Sequence, residues 1–200
     1  MSMETTASVK SMQKQKVTLD PKAIGKLAGT LVVISAVVAL LLALVNHVTE
    51  PIITQMQEEK TAAAMRQVLE ADDYQPVETS MVGVSAMYRA MSGGKQIGYV
   101  AEVTGNGFGG MISMVVGVDQ TGAVTGVAIT KASETPNIGS KVVGDQSVLD
   151  RFIGMSHASG EITVNSGVNV FDGVSGATVS SKGVTSGVNA ALAAVAAMEG

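Results

Sequence analysis

Residues 27–48 read LAGTLVVISAVVALLLALVNHV, and no side chain in the run carries a permanent charge. A helix needs roughly 20 apolar residues to cross a hydrocarbon core of about 30 Å, so this segment is long enough to span a bilayer. A buried core helix of a soluble domain would show a polar face, and this one shows none. A cleaved signal peptide would have a shorter apolar core, about 7–15 residues, followed by a small-residue cleavage site. This run is longer and continues into NHVTEP. The expectation is a single uncleaved transmembrane anchor.

The flanks give its orientation. Lys10, Lys14, Lys16, Lys22 and Lys26 precede the span, whereas Glu50, Glu58 and Glu59 follow it before the next lysine. The positive-inside rule then keeps the N-terminus in the cytoplasm and places the rest of the chain outside the plasma (inner) membrane. Three parts result: a cytoplasmic segment 1–26, a transmembrane helix 27–48 and an extracytoplasmic domain 49–200. His47, at the exit, reads as an interfacial residue.

Composition narrows what the exported part can do. A net charge of −4 argues against a nucleic-acid partner, which would need a basic surface. There is no cysteine, so disulfides, thiolate nucleophiles and iron–sulfur ligation are excluded. With two histidines and no cysteine, a zinc or haem site has little to be made from.

The pattern of the exported part is α+β. ITQMQEEKTAAAMRQVLEA suggests a helix continuing from the anchor, with Ile52, Met56, Ala63 and Val68 at helical spacing. DDYQP (72–76) should break it as a solvated loop. MYRAMSGGKQIGYVAEVTG (87–105) reads as two strands around a Ser-Gly-Gly turn, and MISMVVGVDQTGAVTGVAITKAS (111–133) as two more around Asp-Gln-Thr-Gly. An antiparallel sheet of this kind needs helical cover. The candidates are the helix after the anchor, a short one in GDQSVLDRFIG (144–154) and a C-terminal helix. In the last, Val184, Val188, Leu192 and Val195 form one stripe. Its uncharged stretch is too short for a second span and carries Thr185, Ser186 and Asn189.

DGVSGATVSSKG (172–183) enters that C-terminal helix with several hydroxyls and no base. Two readings are open. Serine and threonine cap helices and glycine makes turns, which accounts for the composition without chemistry. Alternatively, free N–H groups and the positive end of the helix dipole welcome a phosphate, Lys182 adds charge one turn on, and a hydroxyl there is well placed to carry a phosphate ester. Nucleophilic catalysis fits neither, because the exported part has one histidine, His157, with no local partner.

Three ordered stretches carry a family resemblance. Asp172, Gly173, Val174, Ser175, Gly176, Ala177 and Thr178 follow the order Asp, two residues, Ser or Thr, Gly or Ser, Ala, Thr; GFGG (107–110) precedes a strand and the turn Val118–Gly122; and SETPNIGSKV (133–142) is similar to a Glu-Thr-Pro-Gly-Leu-Gly signature. Together they resemble the FMN-binding domain shared by the G subunit of the Rnf electron-transport complex and the C subunit of the sodium-translocating NADH:quinone reductase. The departures are Asn137 and Ile138 in place of Gly and Leu. Asparagine tolerates left-handed backbone nearly as glycine does, so the turn should survive.

The resemblance implies FMN bound through a phosphoester to Thr178, attached by a flavin transferase that recognises Asp172. It implies a cofactor site from Ser175, Gly176, Ala177, Val179, Ser181 and Lys182 around that threonine, with Glu134 and Thr135 facing the isoalloxazine and Gly107 and Gly109 supplying close backbone. It also implies partners in the membrane, the other Rnf subunits, and an output that links electron flow between ferredoxin and NAD to Na⁺ or H⁺ movement. Chain length and the lone anchor favour the Rnf protein over its quinone-reductase counterpart or another extracytoplasmic reductase. A chain with no Cys, no Trp, and three each of Tyr and Phe has no evident reversible redox group of its own, so an electron it carries must sit on a cofactor. The glycine runs do not follow the strand–GxGxxG–helix order of a nicotinamide site.

Overall fold

The computed structural model describes residues 21–199, without the side chains of Ala23 and Glu199. Lys10, Lys14 and Lys16, on which part of the orientation expectation rests, lie outside the described residues. The first element is one long helix, α1 (Pro21–Val68), and the chain divides within it, between Ile52 and Ile53, into two compact units. In the first unit the helix is apolar and long enough to cross a membrane by length and composition. Its aliphatic side chains, Leu31, Leu40 and Leu44 among them, are exposed. In water such a surface would be very unfavourable, so a hydrocarbon solvent is its natural partner. Pro51 lies inside the helix and lacks the N–H that would reach the carbonyl of His47.

The second unit begins with the remainder of α1 and continues as a five-stranded antiparallel meander in the order β1-β2-β3-β4-β5. The strands are β1 (Asp73–Val77), β2 (Val84–Ser92), β3 (Lys95–Asn106), β4 (Met111–Asp119) and β5 (Val124–Lys131). The two expected hairpins are β2–β3 and β4–β5. Gly93 and Gly94 (φ 56° and 76°) supply the left-handed pair that a tight β2–β3 turn requires. In the β4–β5 turn, Asp119 Oδ1 accepts from the N–H groups of Thr121 and Ala123 and from the Thr121 hydroxyl. Burial alone raises Asp119, but these three donors outweigh it and hold the carboxyl below its ordinary value.

DDYQP is not a loop. Asp73–Val77 forms the edge strand β1, in register with Met91–Met87 of β2. An edge position tolerates Pro76, whose missing N–H has no ladder to break on the open side. The Asp72 carboxylate accepts from Gly93 N–H at 2.7 Å and Ser92 Oγ at 3.2 Å, which ties this end of the edge strand to the β2–β3 turn. Tertiary pairing has overridden a loop-like local composition.

Both faces of the sheet are covered. On one lie Ala64, Met65 and Val68 of α1 against Ala90, Val100, Val115 and Ala128. The helix suggested by the spacing of Ile52, Met56, Ala63 and Val68 forms; of these four Val68 is buried in the packed face, with Ala64 and Met65, while Ile52, Met56 and Ala63 are exposed. On the other face lies α4 (Thr178–Glu199), where Val184, Val188, Leu192 and Val195 are all buried as their spacing predicts. Each contributes about 1.5–3 kcal/mol of transfer free energy.

Short elements join β5 to α4. These are α2 (Ser140–Val143), α3 (Gln146–Leu149) with a 3-10 turn at Asp150–Phe152, and a small parallel pair, β6 (Ile162–Val164) and β7 (Asn169–Phe171). Segment 144–154 is thus helical as expected, although in two short pieces. Three-residue strands give too little alternation for the β6–β7 pair to be read from sequence. Phe171 is fully buried and stacks on Phe152, with centroids 4.1 Å apart, which anchors the chain immediately before Asp172.

Candidate functional site

Three segments far apart in sequence meet at the N-terminus of α4. The first is the loop 107–110 between β3 and β4, closed by Gly107 N–H donating to Gly110 C=O. It lies against the first turns of α4 because two glycines allow backbone to approach backbone. A Cβ on Gly105 would collide with the Gly183 carbonyl, and one on Gly183 would come within 2.5 Å of the Asn106 carbonyl oxygen.

The second segment is 133–142. Asn137 adopts φ 62°, so the left-handed turn expected there forms with asparagine in it. Its N–H donates to Ser140 Oγ at 2.8 Å, and the Thr135 carbonyl accepts from Ile138 and Ser140. Glu134 is half-buried and reaches across to both other segments. Its Oε2 accepts from Ser180 Oγ at 2.7 Å and its Oε1 from Gly109 N–H at 3.3 Å.

The third segment is 172–178. Ala177 N–H donates to Val174 C=O across a turn with Gly176 at φ 78°, and Ala177 C=O accepts the first intrahelical bond, from Ser181. Ala177 is therefore the N-cap and Thr178 the first helical residue. Alanine caps poorly, so the N–H groups of Thr178, Val179 and Ser180 gain no bond from a capping side chain at 177. Thr178 is exposed, as are Ser175, Gly176 and Val179. The Asp172 side chain is also exposed, while its backbone carbonyl is held by Arg151 Nη1 at 2.9 Å.

Between the three segments lies a cleft of about 350 Å³ lined by Phe108, Ile138 and residues 176–180. That falls within the usual range for small-molecule sites. Phe108 is 61% exposed, Val179 51% and Ile138 40%. An apolar cleft ends, then, on a free hydroxyl at the positive end of a helix. A planar aromatic group with a phosphate tail matches both ends: stacking surface at Phe108 and Ile138, and uncapped helix N–H groups beside the hydroxyl.

Not every residue singled out from sequence touches this cleft. Ser181 is wholly buried, and its Oγ accepts from Val174 N–H at 3.2 Å, so it closes the turn rather than facing a ligand. Ala177 does line the cleft, although it is buried. Lys182 is exposed but lines a larger cleft, about 640 Å³, beside His157 and Glu161. There, several polar groups are already engaged: Asn189 exchanges two hydrogen bonds with the Ile162 backbone, and Thr185 donates to Ser181 C=O. Conversely, Phe108, Ile138 and Ser180 enter the site without having been picked out. Phe108, one of three phenylalanines, sits within a glycine run, and that was a legible signal. Ser180 could not be told from Ser181 until the helix phase was fixed.

The family profiles agree with this geometry. That of the FMN-binding domain matches residues 107–193, and that of the RnfG N-terminal region matches residues 10–68. The G subunit of the Na(+)-translocating ferredoxin:NAD(+) oxidoreductase complex of Acetobacterium woodii is 35% identical over 90% of this chain and 95% of its own length. The G subunit of the ion-translocating oxidoreductase complex of Methanosarcina acetivorans is 35% identical over 90% of this chain and 99% of its own. In fold, the chain is similar to the crystal structure of the C subunit of the Na(+)-translocating NADH-quinone reductase from Parabacteroides distasonis. The TM-score is 0.51 at 15% identity, over 69% of this chain and 92% of that one. Two profiles that together take in anchor and cleft, and relatives aligned over nearly their whole length, lead to one conclusion: this chain belongs to the RnfG family, the G subunits of the ion-translocating oxidoreductase complexes, and carries its FMN-binding domain.

Proposed function

We propose that this chain is the membrane-anchored electron carrier of an Rnf-type complex, with FMN esterified through its phosphate to Thr178. The observation that carries the reading is the convergence of three separate motifs on one apolar cleft that ends at the exposed Thr178 hydroxyl. When bound, the flavin supplies the reversible redox chemistry that the chain's own side chains lack. The Thr178 Oγ1–P bond would form as the P–O–P bond of a phosphoanhydride-activated flavin nucleotide breaks; the phosphate on the far side leaves with the electron pair, and a base of the transferase takes the hydroxyl proton. A separate flavin transferase performs that step, since none of the described residues lining the cleft beside the hydroxyl is a base. Asp172, exposed six residues upstream on a carbonyl held by Arg151, is the recognition element.

The chain's own contribution is binding, orientation and electrostatics. The uncapped N–H groups and dipole of α4 stabilise the phosphate, worth about 0.3–1 kcal/mol for one charge at an exposed terminus. Phe108, Ile138 and Val179 cover the aromatic portion and exclude water. The anchor holds the domain at the bilayer, on the extracytoplasmic side by the lysine asymmetry, with neighbouring subunits of the complex as donor and acceptor. The complex couples electron flow between ferredoxin and NAD to Na⁺ or H⁺ movement.

The test is to co-express the full chain with a flavin transferase, then measure intact mass and in-gel ultraviolet fluorescence. The unaltered chain should gain the mass of one FMN and fluoresce; Thr178→Ala should do neither. A labelled Thr178→Ala chain would move the ester elsewhere. Ser180 is fully buried and engaged with Glu134, leaving Ser175, three residues upstream, as the nearest exposed hydroxyl in the sequence. An unlabelled parent chain would sink the covalent reading.

A further inference from the structure

Glu134 is the residue on which the site's three segments join. Its two carboxylate oxygens are directed at protein donors on different elements, Ser180 Oγ on α4 and Gly109 N–H in the β3–β4 loop. The glycines around it leave room for nothing else. A Cβ on Gly107 would strike Oε1, and one on Gly139 would strike Oε2 and stand 2.5 Å from Ser180 Oγ. Ser180 is itself completely buried although it lies two residues from the exposed Thr178. A hydroxyl placed there serves the protein and not the solvent.

From this geometry we infer that Ser180 and Glu134 are positioning residues, whose hydrogen bond clamps the loops 107–110 and 134–139 to the first turn of α4 and so fixes the cleft walls beside Thr178. The functional consequence rests on the reading that Thr178 carries a flavin; the clamp itself does not. A tether at the phosphate fixes one end of a long, flexible ligand and leaves its ring free to swing. Phe108 and Ile138 restrain the ring only if their loops are themselves held. Neither loop has a regular ladder at that point, and Glu134 joins both to the helix that bears the tether. Glu134 thus acts through the walls of the cleft, with its carboxylate held inward.

Hydrogen exchange, followed by mass spectrometry on the full chain made without a transferase, tests the clamp in the flavin-free protein. Ser180→Ala and Glu134→Gln should each speed amide exchange across 105–112 by at least about tenfold, the effect expected for losing a bond to a charged group. The double variant should be no faster than the worse single, because both changes cut one connection. Unchanged exchange in either single variant, or additive effects in the double, would overturn the clamp. Glu134→Gln keeps the side-chain volume and serves if Ser180→Ala fails to fold. In flavinylated chains, Ser180→Ala should keep the FMN mass yet lose visible circular dichroism and fluorescence anisotropy. A full mass gain with both signals unaltered would refute the positioning role. If the parent chain takes up no flavin, the cofactor reading fails while the exchange result still decides the clamp.

Discussion

Replacing Gly183 with alanine sets two effects of opposite sign against each other. Gly183 lies in the first turns of a long helix, where alanine should stabilise by about 1 kcal/mol through propensity. The added Cβ, however, would sit 2.5 Å from the Asn106 carbonyl oxygen, 2.8 Å from its carbon and 3.1 Å from Gly107 N. All three are backbone atoms, so no rotamer change relieves the contact. Moving from 2.5 Å to an ordinary 3.4 Å requires α4 and β3 to separate by roughly 0.9 Å. A gap of that size forfeits a quarter to a half of each dispersion contact it opens, and the buried Val184 and Val188 lie on the face that would lift. Overpacking of this kind costs about 1–3 kcal/mol. Net of propensity, Gly183→Ala should destabilise by up to about 2 kcal/mol, a fall in Tm of up to roughly 8 °C for a chain of this size. Ser186→Ala, exposed on the same helix, is the control and should rise slightly. Scanning calorimetry of the detergent-solubilised full chain reads both. If Gly183→Ala melts higher, as its control should, the close approach is not a constraint and the account of how loop 107–110 is seated is wrong.

Other expectations follow from single features. Asn137→Val puts a β-branched residue at φ 62° and should cost about 1–2 kcal/mol in thermal unfolding, whereas Asn137→Gly should be nearly neutral. Asp119 has a lowered native pKa, so its stabilisation is complete above the ordinary carboxyl value and is lost as pH falls through the native one. Urea titrations should therefore show the parent's advantage over Asp119→Asn shrinking from about pH 5 downwards. Equal separation of the two proteins at pH 7 and pH 3 would refute this. Leu41→Arg, mid-span, should impose an insertion penalty of about 2.5–3.5 kcal/mol and raise the fraction released by carbonate extraction.

How much of the molecule was legible follows from the range of the forces involved. The two hairpins β2–β3 and β4–β5 were readable because alternation with period two is local, and Gly93–Gly94 and the Asp119 turn mark where each reverses. Val184, Val188, Leu192 and Val195 were readable for the same reason at the helical period. Edge strand β1 was not, because Asp73 and Pro76 suit a loop and only pairing with Met87–Met91 makes them part of a strand. The helix before β1 was readable from its spacing, but the face it packs was not: near Val68 several apolar phases compete, and the sheet selects the one through Ala64, Met65 and Val68.

The candidate site divides in the same way. Sequence alone determined the apolar helix of the anchor, the two hairpins, the amphipathic last helix and the threonine at its start, since each depends on neighbours a few residues away. The left-handed turn at Asn137 followed from the resemblance, since asparagine can take the backbone that the family's glycine takes there. Only the tertiary structure decided that residues 107–110, 133–142 and 172–180 surround one cleft. It also turned Ser180 towards Glu134 and Ser181 towards Val174, and set Lys182 against a different cleft. Those outcomes depend on the rotation of one helix against a sheet, fixed where Gly105 meets Gly183, and no local pattern encodes a contact between residues so far apart in the chain.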